Sequence, residues 1–315
     1  MSRLLNLVFA GTPAFAVPTL DRLAGAGFKI HLVLTQPDRA RGRGLELSQS
    51  PVKEHATRLG IRIAQPATIK NNEGLKAQLD AIRPDAIVVV GYGRIIPPWM
   101  IDLPPLGNIN LHASLLPKYR GAAPIQWAIA QGETATGVTT MRIDRGLDTG
   151  DILLQRVLPI ADDDTSVSLT PRLAEIGAGL LVETLHALAE GRINPRPQDE
   201  AQASLAPLLK KEDGMVDFTR SAPEAYNRLR GFQPWPGAYS SFRGKRFEIH
   251  WAQPLDSLAN LDPGELLVRE GKLLVGCGAN TALQLIEVQL EGRRRTSGLD
   301  FARGYRLNRG EHLGS

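Results

Sequence analysis

The chain is poor in the residues that build secreted or metal-held proteins. It has one cysteine, Cys277, in 315 residues, which excludes an intramolecular disulfide framework and a multi-cysteine zinc site. A reducing, cytoplasmic setting fits that count, and Cys277 itself reads as a small core filler. No metal is expected, because no second His or Cys falls at ligand spacing around His112. No apolar run reaches the roughly 18 residues of a membrane span. The apolar start is short and ends in Gly11-Thr12-Pro13 without a small-residue cleavage site, so it reads as a first buried strand and not a signal peptide. Neither G-x-G-x-x-G nor a P-loop follows that strand; NAD and P-loop chemistry lose support, and Gly11 reads as a tight-turn glycine.

What is present is a globular composition, 43% apolar, in a chain long enough for two domains. The net charge of +4 comes from 37 Lys+Arg against 33 Asp+Glu, too small an excess to name a partner. The basic residues cluster locally, at Arg39, Arg41 and Arg43 and again at Arg293, Arg294 and Arg295.

Along the first 110 residues, apolar strand-like runs alternate with helical patterns. Leu4–Ala10, Lys29–Thr35, Ile61–Ala64 and Asp85–Val90 read as strands, and Ser50-Pro51 reads as the cap and first residue of a helix that stops at Gly60. The loop 36–50 reads as polar and irregular. This alternation predicts an α/β fold with a parallel, doubly wound sheet, whose ligands sit at the carboxyl ends of the strands. Strands are expected again at Thr136–Ile143 and Asp151–Ile160. A helix then ends near Gly191, started either by Thr165 or by Thr170-Pro171. The polar, proline-bearing stretch NPRPQDEAQ reads as a linker. After it come one helix and several short apolar runs separated by turns, the pattern of a small β-barrel. The expected division is a catalytic domain over 1–193, a linker over 194–208 and a second domain over 209–315.

The chemistry concentrates in residues 108–151. Asn110 and His112 stand two apart on a strand and so share a face. Asp148 lies in a Gly-flanked loop after the Thr136–Ile143 strand, close enough in topology to meet the imidazole. A neutral amide donor, a proton-moving imidazole and an orienting carboxylate suit acyl-type transfer through an oxyanion. No activated nucleophile is evident; Ser114 is the fallback, outside any G-x-S-x-G elbow, so direct attack by an acceptor is favoured. Arg39, Arg41 and Arg43 form either a solvated surface loop or a phosphate clamp at the site rim. Trp235 and Trp251 read as core residues before base-stacking ones.

The motifs N-x-H-x-S-L-L-P at 110–117, R-G-A-A-P at 120–124 and G-L-D-T-G-D at 146–151 resemble those of the methionyl-tRNA formyltransferases. The similarity continues through Phe9–Pro13, Gln36–Arg39, Ser50–Lys53, Val89–Gly93, Lys211–Gly214 and Pro234–Gly237. It implies a Rossmann-like formyltransferase domain followed by an OB-like barrel that binds tRNA. It also implies 10-formyltetrahydrofolate as donor and the methionine amino group of initiator methionyl-tRNA as acceptor. On that resemblance Asn110, His112 and Asp148 are catalytic. Ser114, Leu115, Leu116 and Pro117, with Val90, Gly91 and Tyr92, contact the folate, and Arg39, Arg41 and Arg43 reach the tRNA. A cytoplasmic monomer with no DNA or membrane partner is expected. The alternative acceptor is an amino sugar nucleotide or another small amine. Glu46, Leu208 and Arg145 depart from the usual residues of these relatives.

Overall fold

The computed structural model describes residues 5–41, 46–255 and 261–314. The chain forms two compact units. The first comprises residues 1–124, 135–159 and 170–206, the second residues 125–134, 160–169 and 207–315.

In the first unit the strands are β1 (Asn6–Gly11), β2 (Lys29–Leu34), β3 (Arg39–Arg41), β4 (Glu46–Ser48), β5 (Ile63–Ala64), β6 (Ala86–Val90), β7 (Asn108–His112), β8 (Arg120–Gly121), β9 (Ala135–Arg142), β10 (Ile152–Pro159) and β11 (Leu205–Ala206). Seven of them make one sheet in the order β10-β9-β7-β6-β1-β2-β5. The pairs among β5, β2, β1, β6 and β7 are parallel, whereas β9 runs antiparallel to both β7 and β10. All five residues of β6 are buried, as its β-branched run requires of a strand covered on both faces. Val8, Leu32, Leu34, Leu79, Ile87 and Met100 belong to one core cluster that includes this strand.

The chain runs outward from β1 to β2 and β5, then returns to β6 on the other side of β1. Doubly wound sheets take their ligands at such a reversal, outside the carboxyl edge. Loops from three strands are tied together there. The Tyr92 carbonyl accepts from Thr12 Oγ1 at 3.2 Å and from Gln36 Nε2 at 3.0 Å, and Gln36 Nε2 also donates to the Gly93 carbonyl at 3.2 Å.

The loop 36–50 is more ordered than its polar composition suggested: β3 and β4 pair as an antiparallel ribbon with Arg41 opposite Glu46. A ribbon satisfies its own backbone groups, which no apolar periodicity announces. The Ser50 side chain accepts from the Lys53 amide at 3.1 Å and caps the helix Pro51–Arg58. The helix Ser166–Ala189 starts at the earlier of the two expected positions, because Thr165 Oγ1 accepts from the Ser168 amide at 3.2 Å.

Residues 194–206 are not a free tether. Arg196 exchanges backbone hydrogen bonds with Ile152 at 2.8 and 2.9 Å. β11 lies parallel to β8, and the Ser204 carbonyl accepts from the Arg120 amide at 2.8 Å.

In the second unit β12 (Ala238–Phe242), β13 (Lys245–Leu255), β14 (Leu266–Arg269), β15 (Lys272–Cys277), β16 (Thr281–Leu290) and β17 (Thr296–Ser297) form an antiparallel sheet in the order β12-β13-β16-β15-β14, with β17 on β16. The expected short strands are present. No ladder among the described residues joins β14 to β12, so the finding is an antiparallel sheet without demonstrated barrel closure. Helices Ala222–Gly231 and Gly298–Tyr305 cover it, and Phe301 meets Phe242 and Phe247 edge-on with centroids 5.1 and 4.9 Å apart.

Cys277 is buried in this core, where desolvation pushes its thiol up to about 12. The thiolate is the reactive form, so the native protein should resist alkylation at pH ~8 while the urea-unfolded chain reacts rapidly. Equal rates of labelling in the two states, followed by mass spectrometry, would contradict this placement.

Candidate active site

β7 brings Asn110 and His112 to the carboxyl edge, on one face by strand alternation. Asn110 is half-buried, and its side-chain amide makes no hydrogen bond among the described residues. It is therefore free to donate to a ligand. The His112 ring is buried. Its Nε2 lies 2.9 Å from the Tyr119 carbonyl oxygen, and a carbonyl only accepts, so Nε2 carries the proton. The neutral ring then presents an unprotonated Nδ1. Asp148 Oδ2 stands 3.7 Å from that nitrogen, too far for a hydrogen bond but near enough to stabilise a ring protonated on both nitrogens.

Asp148 owes its place to a tight loop. Asp144 accepts from the Gly146 amide at 2.9 Å and from Thr149 Oγ1 at 2.8 Å. Asp148 itself is in the left-handed region with φ 53°, and its Oδ2 accepts from the Gly121 amide at 2.9 Å. The carbonyls of Asp148 and Gly150 accept from Gln198 Nε2 at 2.8 and 2.7 Å.

Ser114 is sealed from solvent and donates from Oγ to the Lys118 carbonyl at 2.6 Å. That geometry serves the turn and leaves no base to activate the hydroxyl. Leu116 is buried, with its amide donating to Thr139 Oγ1 at 3.1 Å and its carbonyl accepting from Gln155 Nε2 at 2.9 Å. Leu115 and Pro117 are half-buried. Of the other three residues expected at the folate, the Val90 and Tyr92 side chains are core, and burial pushes the Tyr92 phenol up to about 12. Gly91 between them is exposed. Arg39 is exposed and donates to Gln36 Oε1 at 2.7 Å; Arg41 lies on β3, and Arg43 lies outside the described residues.

Sequence reasoning gave no role to Arg120, Gln198 or Glu200. Arg120 is buried, donates to Gln198 Oε1 from Nε at 3.0 Å and from Nη2 at 2.9 Å, and grips Glu200 through both terminal nitrogens at 2.9 and 2.8 Å. The guanidinium holds the Glu200 carboxyl below its ordinary range. No spacing rule links residues so far apart in the chain. The one available signal was chemical, a Gln and a Glu within an otherwise linker-like run.

In the second unit, Trp251 packs edge-on against Tyr226 at 5.8 Å, but Trp235 is exposed and not core, held in a proline-rich turn after the helix Ala222–Gly231. Arg293 and Arg294 are exposed, and Arg295 pairs with Glu287 at 3.2 Å.

Residues 3–185 match the formyl transferase model, and residues 208–306 match the model of the formyl transferase C-terminal domain. The chain belongs to the formyltransferase family. Within it, this formyltransferase is 64% identical over 308 residues to the methionyl-tRNA formyltransferase of Koribacter versatilis, covering 98% of each chain. It is 56% identical over 311 residues to that of Acidobacterium capsulatum, covering 99% of this chain and 100% of the other. Among solved structures, the sugar 3N-formyl transferase WlaRD superposes with a TM-score of 0.67 at 19% identity, over 93% of this chain and 100% of that one. The N-formyltransferase of Helicobacter canadensis gives 0.67 at 19% identity, over 89% and 98%. At that distance the structural likeness speaks for the fold alone.

If Ser114 serves the turn, Ser114→Ala should retain at least about tenfold more turnover than His112→Ala, since loss of a general base costs roughly 100- to 10,000-fold. Steady-state rates decide it, and equal losses would make Ser114 a reacting group.

Proposed function

We infer that this formyltransferase moves the formyl group of 10-formyltetrahydrofolate to the amino group of methionine on initiator methionyl-tRNA. The observation that carries the reading is near end-to-end identity with methionyl-tRNA formyltransferases, C-terminal domain included. In this reading the trio acts as follows. The amine nitrogen attacks the formyl carbon, and the Asn110 amide donates to the oxygen as negative charge develops on it. The proton leaving the amine passes to His112 Nδ1, and Asp148 stabilises the resulting imidazolium. The bond from the formyl carbon to N10 of the folate then breaks, and that nitrogen takes the proton back from the ring. Tetrahydrofolate and formylmethionyl-tRNA leave, and the enzyme regains its starting protonation. No covalent enzyme intermediate is needed, in keeping with the sealed Ser114.

The turn Ser114–Pro117 and the loop Val90–Tyr92 would border the folate, contributing Leu115, Pro117 and backbone groups more than the buried side chains. Arg39, Arg41 and Arg43 would meet acceptor-stem phosphates, and the exposed Trp235 and Arg293–Arg295 of the second unit offer stacking and charge to nucleic acid. We place the reaction in the cytoplasm, in a monomer acting on tRNA and on neither DNA nor membrane; no helix among the described residues is long and apolar enough to cross a bilayer.

Supplying labelled 10-formyltetrahydrofolate with initiator Met-tRNA, elongator Met-tRNA and an amino sugar nucleotide should label the first acceptor preferentially. Label on the sugar but on neither tRNA would overturn the assignment in favour of a small-amine transferase. Replacing Arg41 and Arg43 together with Ala should reduce the steepness with which salt weakens tRNA binding by about two counterions. An unchanged slope would make the ribbon a solvated surface feature.

A further inference from the structure

The stretch that reads as a linker supplies side chains to the network around Asp148 and Arg120. Gln198 faces two ways. Its Nε2 donates to the carbonyls of Asp148 and Gly150, and its Oε1 accepts from Arg120 Nε and Nη2. This amide has one workable orientation. Turned over, it would set its NH2 against a guanidinium that only donates and its oxygen against two carbonyls that only accept. Arg120 is fixed from behind by both oxygens of Glu200. The residues flanking Arg120 touch the reacting pair directly: the Tyr119 carbonyl accepts from His112 Nε2, and the Gly121 amide donates to Asp148 Oδ2.

Asp148 needs such support. Aspartate tolerates the left-handed region better than most residues but still at a cost, and here the conformation is met by the Gly121 amide on its carboxylate and Gln198 on its backbone carbonyl. The pair is spaced at 3.7 Å, so a small rotation of the loop changes how strongly the carboxylate stabilises a charged ring.

We propose that Gln198, backed by Arg120 and Glu200, is a positioning residue that clamps the 148–150 loop and so holds the Asp148 carboxylate against His112. The proposal rests on the formyl-transfer reading for its kinetic consequence, though not for its structural one. All four hydrogen bonds of the Gln198 side chain go to Arg120 and the 148–150 loop, so its loss falls on turnover.

Three measurements test this. Gln198→Met keeps the volume and removes all four hydrogen bonds; Gln198→Glu keeps an acceptor for Arg120 but sets an oxygen against the two carbonyls. Each should lower kcat for formyl transfer about 10- to 100-fold, as displacements of this size do, with KM for donor and tRNA changing less than about twofold. In an Asp148→Asn background, adding Gln198→Met should cost less than about threefold more, because the two residues act through one effect. The ring-nitrogen chemical shifts of His112 in the free protein should move in Gln198→Met toward those of Asp148→Asn. That last readout uses no acceptor, so it stands even if tRNA is not the substrate. Glu200→Gln, a change at an exposed side chain, keeps one bond to Arg120 and should lower kcat several-fold in the same sense. It serves if the Gln198 variants do not fold. Unchanged kcat, an effect confined to KM, losses that multiply with Asp148→Asn, or wild-type His112 shifts in Gln198→Met would each overturn the clamp.

Discussion

The geometry of this site depends on a run of three residues, Tyr119 to Gly121, that the chain cannot relax. Tyr119 lies at φ 62° and Gly121 at φ 124°. A Cβ at Gly121 would stand 2.6 Å from the Ala206 carbonyl oxygen, so only glycine lets β8 lie beside β11. From that pinned run one carbonyl reaches His112 and one amide reaches Asp148. The imidazole comes from the end of β7 and the carboxylate from the loop between β9 and β10, yet both take their reference from the same backbone.

Burying Arg120 within that run carries a cost that the structure offsets locally. A guanidinium removed from water without hydrogen-bond partners is strongly destabilising. Here the Glu200 and Gln198 side chains occupy its donors, and both arrive from beyond the helix Ser166–Ala189. Closing the site therefore requires the segment after that helix to dock. The polar network is complete only with residues 196–204 in place, which is why hydrogen bonds run along a stretch whose composition is that of a tether.

Much of the α/β layer is legible in the sequence because burial on both faces writes itself as continuous β-branched runs, as at Ala86–Val90. Asn110 and His112 are legible too, since a period of two needs no tertiary knowledge. The 3.7 Å approach of Asp148 is not contained in any local pattern; it follows from which strands the loops leave. The ribbon β3–β4 escaped notice because two short polar strands carry no apolar alternation. Trp235 was misread for a related reason: hydrophobicity predicts burial on average, whereas this ring stands in a proline-rich turn where the backbone decides. Val90 and Tyr92 show the converse. They stand at the end of β6, where a ligand contact reads naturally from sequence, but their side chains fill the core.

The acceptor is the feature least determined by the sheet edge. An amide, an imidazole and a carboxylate handle the proton of any primary amine, and the same fold is found at a TM-score of 0.67 in a sugar 3N-formyl transferase of 19% identity. Selectivity must then come from structure grafted around the edge. The ribbon adjoins that edge and is tied to it by hydrogen bonds. Arg39 on β3 donates to the oxygen of Gln36, whose nitrogen donates to the carbonyls of Tyr92 and Gly93 at the end of β6. Asp38 is tied down as well, its carboxyl held below the ordinary range first by Lys53 and then by Gln65. A group that drew Arg39 away would thus act on the same Gln36 amide that holds the Tyr92 and Gly93 carbonyls, so the ribbon and the end of β6 are coupled through one side chain.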